Sequence, residues 1–412
     1  MQIYLVGGAV RDKLLHLPVK DKDWVVVGAS SEQMLEQGFI QVGKDFPVFL
    51  HPQSNEEYAL ARTERKTGTG YTGFSCDTSK DVTLELDLLR RDLTINAMAE
   101  DETGKIIDPY GGLRDLQDKI LRHVSPAFSE DPLRVLRVAR FAARFHHLGF
   151  RIVSETINLM SDIAQHGELN TLSPERVWQE TARALGEHDP HIYFDVLHRC
   201  DALEYWFMEL DRLWGVPNPA MWHPEIDTGV HTLMVLEQAC QLSDKLSVRF
   251  AALVHDVGKG LTPAQRWPSH RGHETLGLQA IRDLCERIRA PNECRDLALL
   301  VSEYHSHVHR AFELRPATLL NLFDSADAWR KPQRFDDFLT ACRADARGRS
   351  GFESTPYLQA DYVRQAFNIA SAVEVKSIID AGYQGKQIRE QLDIARIAAL
   401  NDFKHSWQQT HH

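Results

Sequence analysis

Hydrophobic positions change their period about a third of the way along the chain. Before residue 110 they come in short β-rich runs at 2–6 and 23–27, with a loosely alternating stretch at 57–62. Gly and Thr crowd residues 65–80, a composition that predicts a mobile loop. From about residue 130 onward, apolar residues recur at helical spacing and Gly thins out. That spacing predicts helices at 131–147, 173–186, 190–200, 228–243, 246–258, 274–289, 293–305 and 317–328. The pattern describes a small α/β head followed by a long helical remainder, with no internal repeat and no low-complexity tract.

At 412 residues, 43% hydrophobic and 25% charged, the chain has apolar surface for two to four folded units and is not wholly disordered. Its longest apolar runs last only a few residues, whereas a membrane helix needs about 20, so no membrane association is expected. The start, Met1-Gln-Ile-Tyr-Leu-Val-Gly-Gly, has neither the basic nor the long apolar region of a secretory signal. Six cysteines lie far apart and form no CxxC pair. They read as reduced, mostly buried thiols, and a cytoplasmic location is expected. A net charge of -11 argues against nonspecific coating of nucleic acid but leaves room for a local basic stripe. Eight of the 20 histidines fall between 223 and 309, where metal binding, acid–base chemistry and a plain helical surface are all open.

Three local patterns carry chemistry. Gly7-Gly8-Ala9-Val10-Arg11-Asp12 follows a strand and opens a helix, and glycines there let backbone approach a phosphate without a Cβ clash. Asp21-Lys22-Asp23 precedes an apolar run. In a strand, Asp21 and Asp23 share a face, an arrangement that repels itself unless a cation lies between them. Hard oxygen donors of this kind suit Mg²⁺. In the predicted helix at 131–147, about 100° per residue gathers Arg134, Arg137, Arg140 and Arg144 on one side, opposite Leu136, Ala139 and Ala143. Asp131 stands one turn before Arg134, where the two can pair. Such a stripe invites anions, triphosphate and RNA backbone among them.

In order along the chain, GGAVRD at 7–12, DKD at 21–23, RRDLTINAMA at 90–99 and EDPLRVLRVARF at 130–141 resemble the motifs of class II tRNA nucleotidyltransferases. These are the bacterial CCA-adding enzymes and their poly(A) polymerase relatives, within the polymerase β superfamily. The rest of the chain is similar in arrangement to the multifunctional CCA proteins of proteobacteria, which carry an HD domain. The resemblance implies an α+β fold: a polymerase β-like nucleotidyltransferase head with a five-stranded mixed sheet, then an all-helical neck, body and tail including an HD domain. The expected segments are a head at 1–140, neck and body at 141–222, HD domain at 223–330 and tail at 331–412.

It also implies roles. Asp21 and Asp23 would bind the magnesium ions of two-metal nucleotidyl transfer, Gly8 and Arg11 the triphosphate. Arg91, Asp92 and Asn96, beside Arg90 and within two helical turns, would hold the ribose. Asp131 and Arg134 would present a template to the base edge, with Arg137 and Arg140 further along the nucleotide site. Glu64 is a weak option for a third carboxylate. His231, His255, Asp256 and a later aspartate would hold a transition-metal ion, nickel being one such ion. Asp327 is the best match for the last ligand and Asp324 the runner-up. His270, His273 and His305 would serve a second ion or a substrate phosphate. The implied activity is template-independent addition of C, C and A to tRNA 3′ ends from CTP and ATP, with HD-domain phosphatase and 2′,3′-cyclic phosphodiesterase activity besides. A monomer or weak homodimer is expected. The competing readings are a poly(A) polymerase and an HD phosphohydrolase with an RNA-binding head. Asp45, in Val42-Gly-Lys-Asp-Phe, stands where poly(A) polymerases often carry a basic residue.

Overall fold

The computed structural model describes residues 1–42, 48–66 and 74–410, with 64–66 and 74–76 as backbone alone. Asp45 and the centre of the Gly/Thr loop lie outside these residues, as does the side chain of Glu64. Two compact units result, Met1–Tyr205 and Trp206–His412.

The first unit is built on a mixed sheet. Its strands are β1 (Gln2–Val6), β2 (Asp23–Val27), β3 (Ile40–Val42), β4 (Val48–Leu50) and β5 (Glu57–Leu60). Strands β6 (Thr63–Lys66) and β7 (Phe74–Asp77) form a separate antiparallel pair, and β8 (Ala99–Glu100) and β9 (Ile106–Ile107) return to the main sheet. The sheet order is β3-β4-β5-β2-β1-β8-β9. Only β2 and β5 run parallel within it. The expectation of five strands is thus corrected to seven among the described residues. The strands that swell the count are two or three residues long, too short for an alternating pattern to show. Alternation is visible in β2, where Val25 joins Val6, Leu88 and Ala97 on one face and Val26 joins Met34, Phe49 and Leu60 on the other.

Helices α1 (Gly8–Leu14), α2 (Ser31–Glu36), α3 (Leu84–Leu89) and α4 (Gly112–Gln117) punctuate the sheet. Helices α5 (Leu133–Phe145), α6 (Ser154–Gln165), α7 (Pro174–Leu185) and α8 (His191–Arg199) follow it. α5 packs on α7 and α8. Helix α9 (Leu203–Asp211) spans the boundary between the units.

The second unit is helical: α10 (Thr228–Leu242), α11 (Leu246–Val254), α12 (His273–Ile288), α13 (Asn292–His309), α14 (Pro316–Ser325), α15 (Pro332–Arg347), α16 (Leu358–Ser371), α17 (Val375–Asp380) and α18 (Lys386–Thr410). α11 is its axle. Every residue from Ser247 to Val254 is buried, and α10, α13 and α15 pack against it. A helix buried on all sides belongs in a core, and this one ends by delivering His255 and Asp256 into the interior. Among the described residues no helix is long and apolar enough to cross a membrane.

Candidate active sites

Three strand ends meet in the first unit. Val6 pairs with Asp23 across β1 and β2, and with Ala99 across β1 and β8. The Gly7-Gly8 turn, the aspartate pair and the 90–99 segment therefore converge at one edge of the sheet. Gly7 has φ +67°, and its N–H donates to Met98 O at 3.2 Å. The left-handed φ favours glycine here, and a Cβ would also push against the movable end of Arg91, 2.7 Å away at Nη1. Asp21 stands just before β2, and both aspartates line the same cavity of about 700 Å³. Partial desolvation raises the Asp23 carboxyl above its ordinary value; Arg91 opposes this and Asp21 adds to it. Two carboxylates facing one space in this way fit a hard divalent cation.

Nine arginines line that cavity, and carboxylates order them. Asp87, fully buried, accepts from Arg90 at 2.9 Å and Arg91 at 3.3 Å. Asp92 accepts from Asn96 Nδ2 at 2.9 Å and Arg137 Nε at 2.8 Å, and Asn96 Oδ1 in turn accepts from Arg11. Burial works to raise the Asp92 carboxyl, but Arg137 and Asn96 outweigh it and hold it well below the usual range. Asp92 and Asn96 do not lie in an α-helix as the sequence suggested. Leu93 is extended and bridges His123, and only Thr94–Asn96 forms a 3₁₀ turn. Arg11 is 3% exposed, with its guanidinium committed to Asp12 and Asn96.

The arginine stripe on α5 is real, but protein carboxylates already meet much of it. Arg137 pairs with Asp92, Arg140 with Glu180 at 2.6 Å and Arg144 with Asp12 at 2.9 Å. Asp131, which the spacing offered to Arg134, accepts from Arg176 of α7 at 3.0 Å, while Arg134 donates to Ala127 O at 2.7 Å. Asp12, Arg176 and Glu180 are cavity or support residues that the sequence reading missed. Asp12 sat inside a quoted motif; the two on α7 show no local signal, because their partners lie more than 30 residues away.

The second unit holds a different cluster. Four imidazoles point Nε2 inward while Nδ1–H donates to a backbone carbonyl: His231 to Gly348 (3.0 Å), His255 to Ala252 (2.8 Å), His273 to His270 (3.0 Å) and His305 to Val301 (2.9 Å). This anchoring fixes the tautomer that leaves Nε2 free to ligate. Asp256 Oδ1 lies 3.2 Å from His273 Nε2 and 3.6 Å from His305 Nε2, and Oδ2 lies 3.2 Å from His255 Nε2. His255 Nε2 and Asp256 Oδ1 are nevertheless buried without a hydrogen-bond partner. Two orphaned atoms of this kind, between imidazoles and carboxylates, fit a metal ion. Two ligand groups share Asp256: His231–His255–Asp256 and Asp256–His273–His305.

The expected last ligand is corrected. Asp327 is half-buried on a turn with φ +51°, paired with Arg330 at 2.7 Å, and Asp324 accepts from Trp329 Nε1 at 2.6 Å and from Arg389. The structure brings neither to the cluster. The carboxylate that faces it is Asp345 of α15, 3.1 Å from His231 Nε2 and 3.5 Å from His255 Nε2. His309 Nε2–H donates to its other oxygen at 2.6 Å and Tyr357 O–H donates to His309 Nδ1 at 2.7 Å. Burial alone would lower the His255 pKa, but Asp256 and Asp345 push it up to about 10: the two carboxylates favour positive charge at Nε2, from a proton or from a metal ion in its place. Burial holds His305 down to about 3, so it stays neutral. His270 lines the same cavity, but both its ring nitrogens are engaged, by Thr262 and by Pro217 O.

These two sites define a class: a nucleotidyltransferase head joined to an HD domain. Family models agree. Residues 3–122 match the poly A polymerase head domain, 149–213 the probable RNA and SrmB-binding site of polymerase A, and 228–331 the HD domain. The multifunctional CCA protein of Pseudoalteromonas atlantica is 66% identical over 97% of this chain and 99% of its own length. The chain belongs to the multifunctional CCA protein family. Two solved structures share its fold. The Thermotoga maritima CCA-adding enzyme complexed with tRNA matches at TM-score 0.63 and 19% identity, covering 98% of this chain and 91% of its own. The Bacillus stearothermophilus CCA-adding enzyme in complex with CTP matches at 0.63 and 23%, covering 97% and 89%.

Proposed function

We propose that this chain completes tRNA 3′ ends, adding C, C and A from CTP and ATP without a nucleic-acid template. The observation that carries this reading is the single cavity in which Asp21 and Asp23 face an arginine-rich wall. The tRNA 3′-oxygen attacks the α-phosphorus of the nucleotide, and pyrophosphate leaves. Magnesium held by Asp21 and Asp23 would supply Lewis acidity at the reacting oxygens. The protein's own part is to place the charges. The Gly7–Gly8 backbone lets the triphosphate come close, and Arg91 stands against it, held by Asp87. The Asp92–Asn96 pair, stiffened by Arg11 and Arg137, is suited to contact the ribose. Asp131 and Arg134 open α5, where an acceptor and a bidentate donor can read a base edge.

The HD cluster is proposed to hydrolyse phosphoesters, with phosphatase and 2′,3′-cyclic phosphodiesterase activity. Its imidazole–carboxylate donor set suits a transition-metal ion, nickel among them, over magnesium. The shared Asp256 supports a second ion on the His273–His305 side. The segments proposed are head, neck and body, HD domain and tail in that order, with Asp345 drawn into the HD site from beyond residue 330. A cytoplasmic enzyme is proposed, in keeping with the free cysteines at 200, 240, 285, 294 and 342.

The test is extension of tRNA lacking its last three nucleotides, with Mg²⁺ and each labelled NTP alone and together. Two C additions, one A and a stop are expected. A long A tail with no C would overturn the reading in favour of a poly(A) polymerase.

A further inference from the structure

The HD cluster forms the floor of a cavity of about 760 Å³ whose mouth is unlike that floor. Trp222 lines the mouth and is 60% exposed. A free indole at a cavity entrance is apolar surface left where a ligand can cover it. Its backbone is held: the Trp222 amide N–H donates to Pro219 O at 2.9 Å, and Arg349 Nη1 donates to Trp222 O at 3.3 Å. The Arg349 guanidinium also lies over Phe352, 4.5 Å from the ring centre. The loop is tied to the cluster itself. Glu225 Oε1 is 3.0 Å from His223 Nδ1 and 2.9 Å from His231 Nδ1.

A second feature points to a ligand. Asn218 is 2% exposed and lines the same cavity. Its Oδ1 accepts from Lys259 Nζ at 2.9 Å, and because a lysine can only donate, the amide orientation is set. Asn218 Nδ2 is then a buried donor with no partner. A donor left unmet in a polar cavity costs about 1–3 kcal/mol unless a ligand oxygen meets it. Lys259, itself buried, also contacts Asp256 at 2.6 Å, so the Asn218–Lys259 pair borders the metal-ligand cluster.

We infer that this cavity is a nucleotide subsite: Asn218 and Lys259 hold an oxygen of the phosphoester beside the cluster, and the indole of Trp222 stacks on the nucleobase. The inference rests on the phosphohydrolase reading above and names the residues by which its site would tell a base-bearing phosphoester from a simple one. The same chemistry is offered by a free cyclic nucleotide and by an RNA 3′ end that finishes in a 2′,3′-cyclic phosphate.

The experiment uses the full chain with its HD metal. Wild type, Trp222→Ala and Trp222→Phe are compared on adenosine 2′,3′-cyclic phosphate, on tRNA ending in a cyclic phosphate, and on glycerol 2-phosphate. Loss of one stacking platform should raise KM on a base-bearing substrate by about tenfold, with kcat within about twofold. Trp222→Phe should recover most of the loss, and glycerol 2-phosphate should be handled alike by all three. A defect on the tRNA, on the free nucleotide or on both supports the subsite and tells which source it serves. Equal KM on both, or an equal loss on glycerol 2-phosphate, overturns it. If wild type hydrolyses none of the three, the phosphohydrolase reading fails by itself. Equilibrium binding of the cyclic nucleotide then decides the subsite: weaker binding by Trp222→Ala supports it, and equal affinities overturn it.

Discussion

The head and the HD cluster solve the same problem, holding many charges in little space, by opposite means. In the head, side chain orders side chain: Arg11, Asn96, Asp92 and Arg137 form one chain of hydrogen bonds, and Arg140, Arg144 and Arg176 each lean on a carboxylate. In the HD cluster, backbone carbonyls order the imidazoles, and the inward atoms of His255 and Asp256 are left without partners. Charge-matched side chains leave a cavity open to large, mobile anions. Backbone-anchored rings leave bare lone pairs aimed at a point, which is what a bound ion needs.

The comparison breaks first at the carboxylates that would carry catalysis. Asp23→Ala should lower nucleotide addition by on the order of 10³-fold or more, read as labelled CMP incorporated into truncated tRNA. Next, Asp345→Ala should weaken HD metal binding by about 100-fold, measured by titrating the metal into chelator-treated protein. Asp327→Ala should stay within about twofold, because an exposed pair with Arg330 is worth about 0–1 kcal/mol. The reverse ranking would restore Asp327 as the ligand. Gly7→Ala should follow. Forcing a side chain to positive φ against Arg91 costs about 1–3 kcal/mol, seen as a lowered thermal midpoint together with reduced addition and unchanged HD hydrolysis.

The smallest effect concerns pH. Asp92 is held below its ordinary value, so its ion pair stabilises the fold above about pH 4 and that stability is lost as pH falls through the folded value. Chemical denaturation of wild type and Asp92→Asn should differ most near neutrality and converge toward pH 2. A constant gap across that range would show that the charge on Asp92 contributes nothing.

The same contrast explains what could be read from sequence. Gly7-Gly8, Asp21 and Asp23 were legible because their spacing is local and sheet register converts it directly into proximity. His255-Asp256 was legible through the resemblance to HD domains, and in the structure the buried helix α11 leads straight into it. Asp345 was not. It sits in Arg343-Ala-Asp-Ala-Arg on a helix with charged residues throughout, where nothing local separates a ligand from a solvated carboxylate. The packing of α15 on α10, α11 and α13 brings it inward. The arginine stripe was visible from helical period, yet its carboxylate partners Glu180 and Asp12 come from elsewhere in the fold, where period carries no information. The 92–96 turn was misread as helix because its Asp–Asn spacing fits four residues per turn as well as it fits a 3₁₀ turn entered from an extended Leu93.

The central claim is that one chain carries two independent chemistries at these two places. It is tested most directly by assaying CCA addition and cyclic-phosphate hydrolysis side by side on Asp21→Ala and His255→Ala. The account predicts a crossing: Asp21→Ala keeps hydrolysis and loses addition, and His255→Ala keeps addition and loses hydrolysis. Loss of both activities in either variant would contradict it.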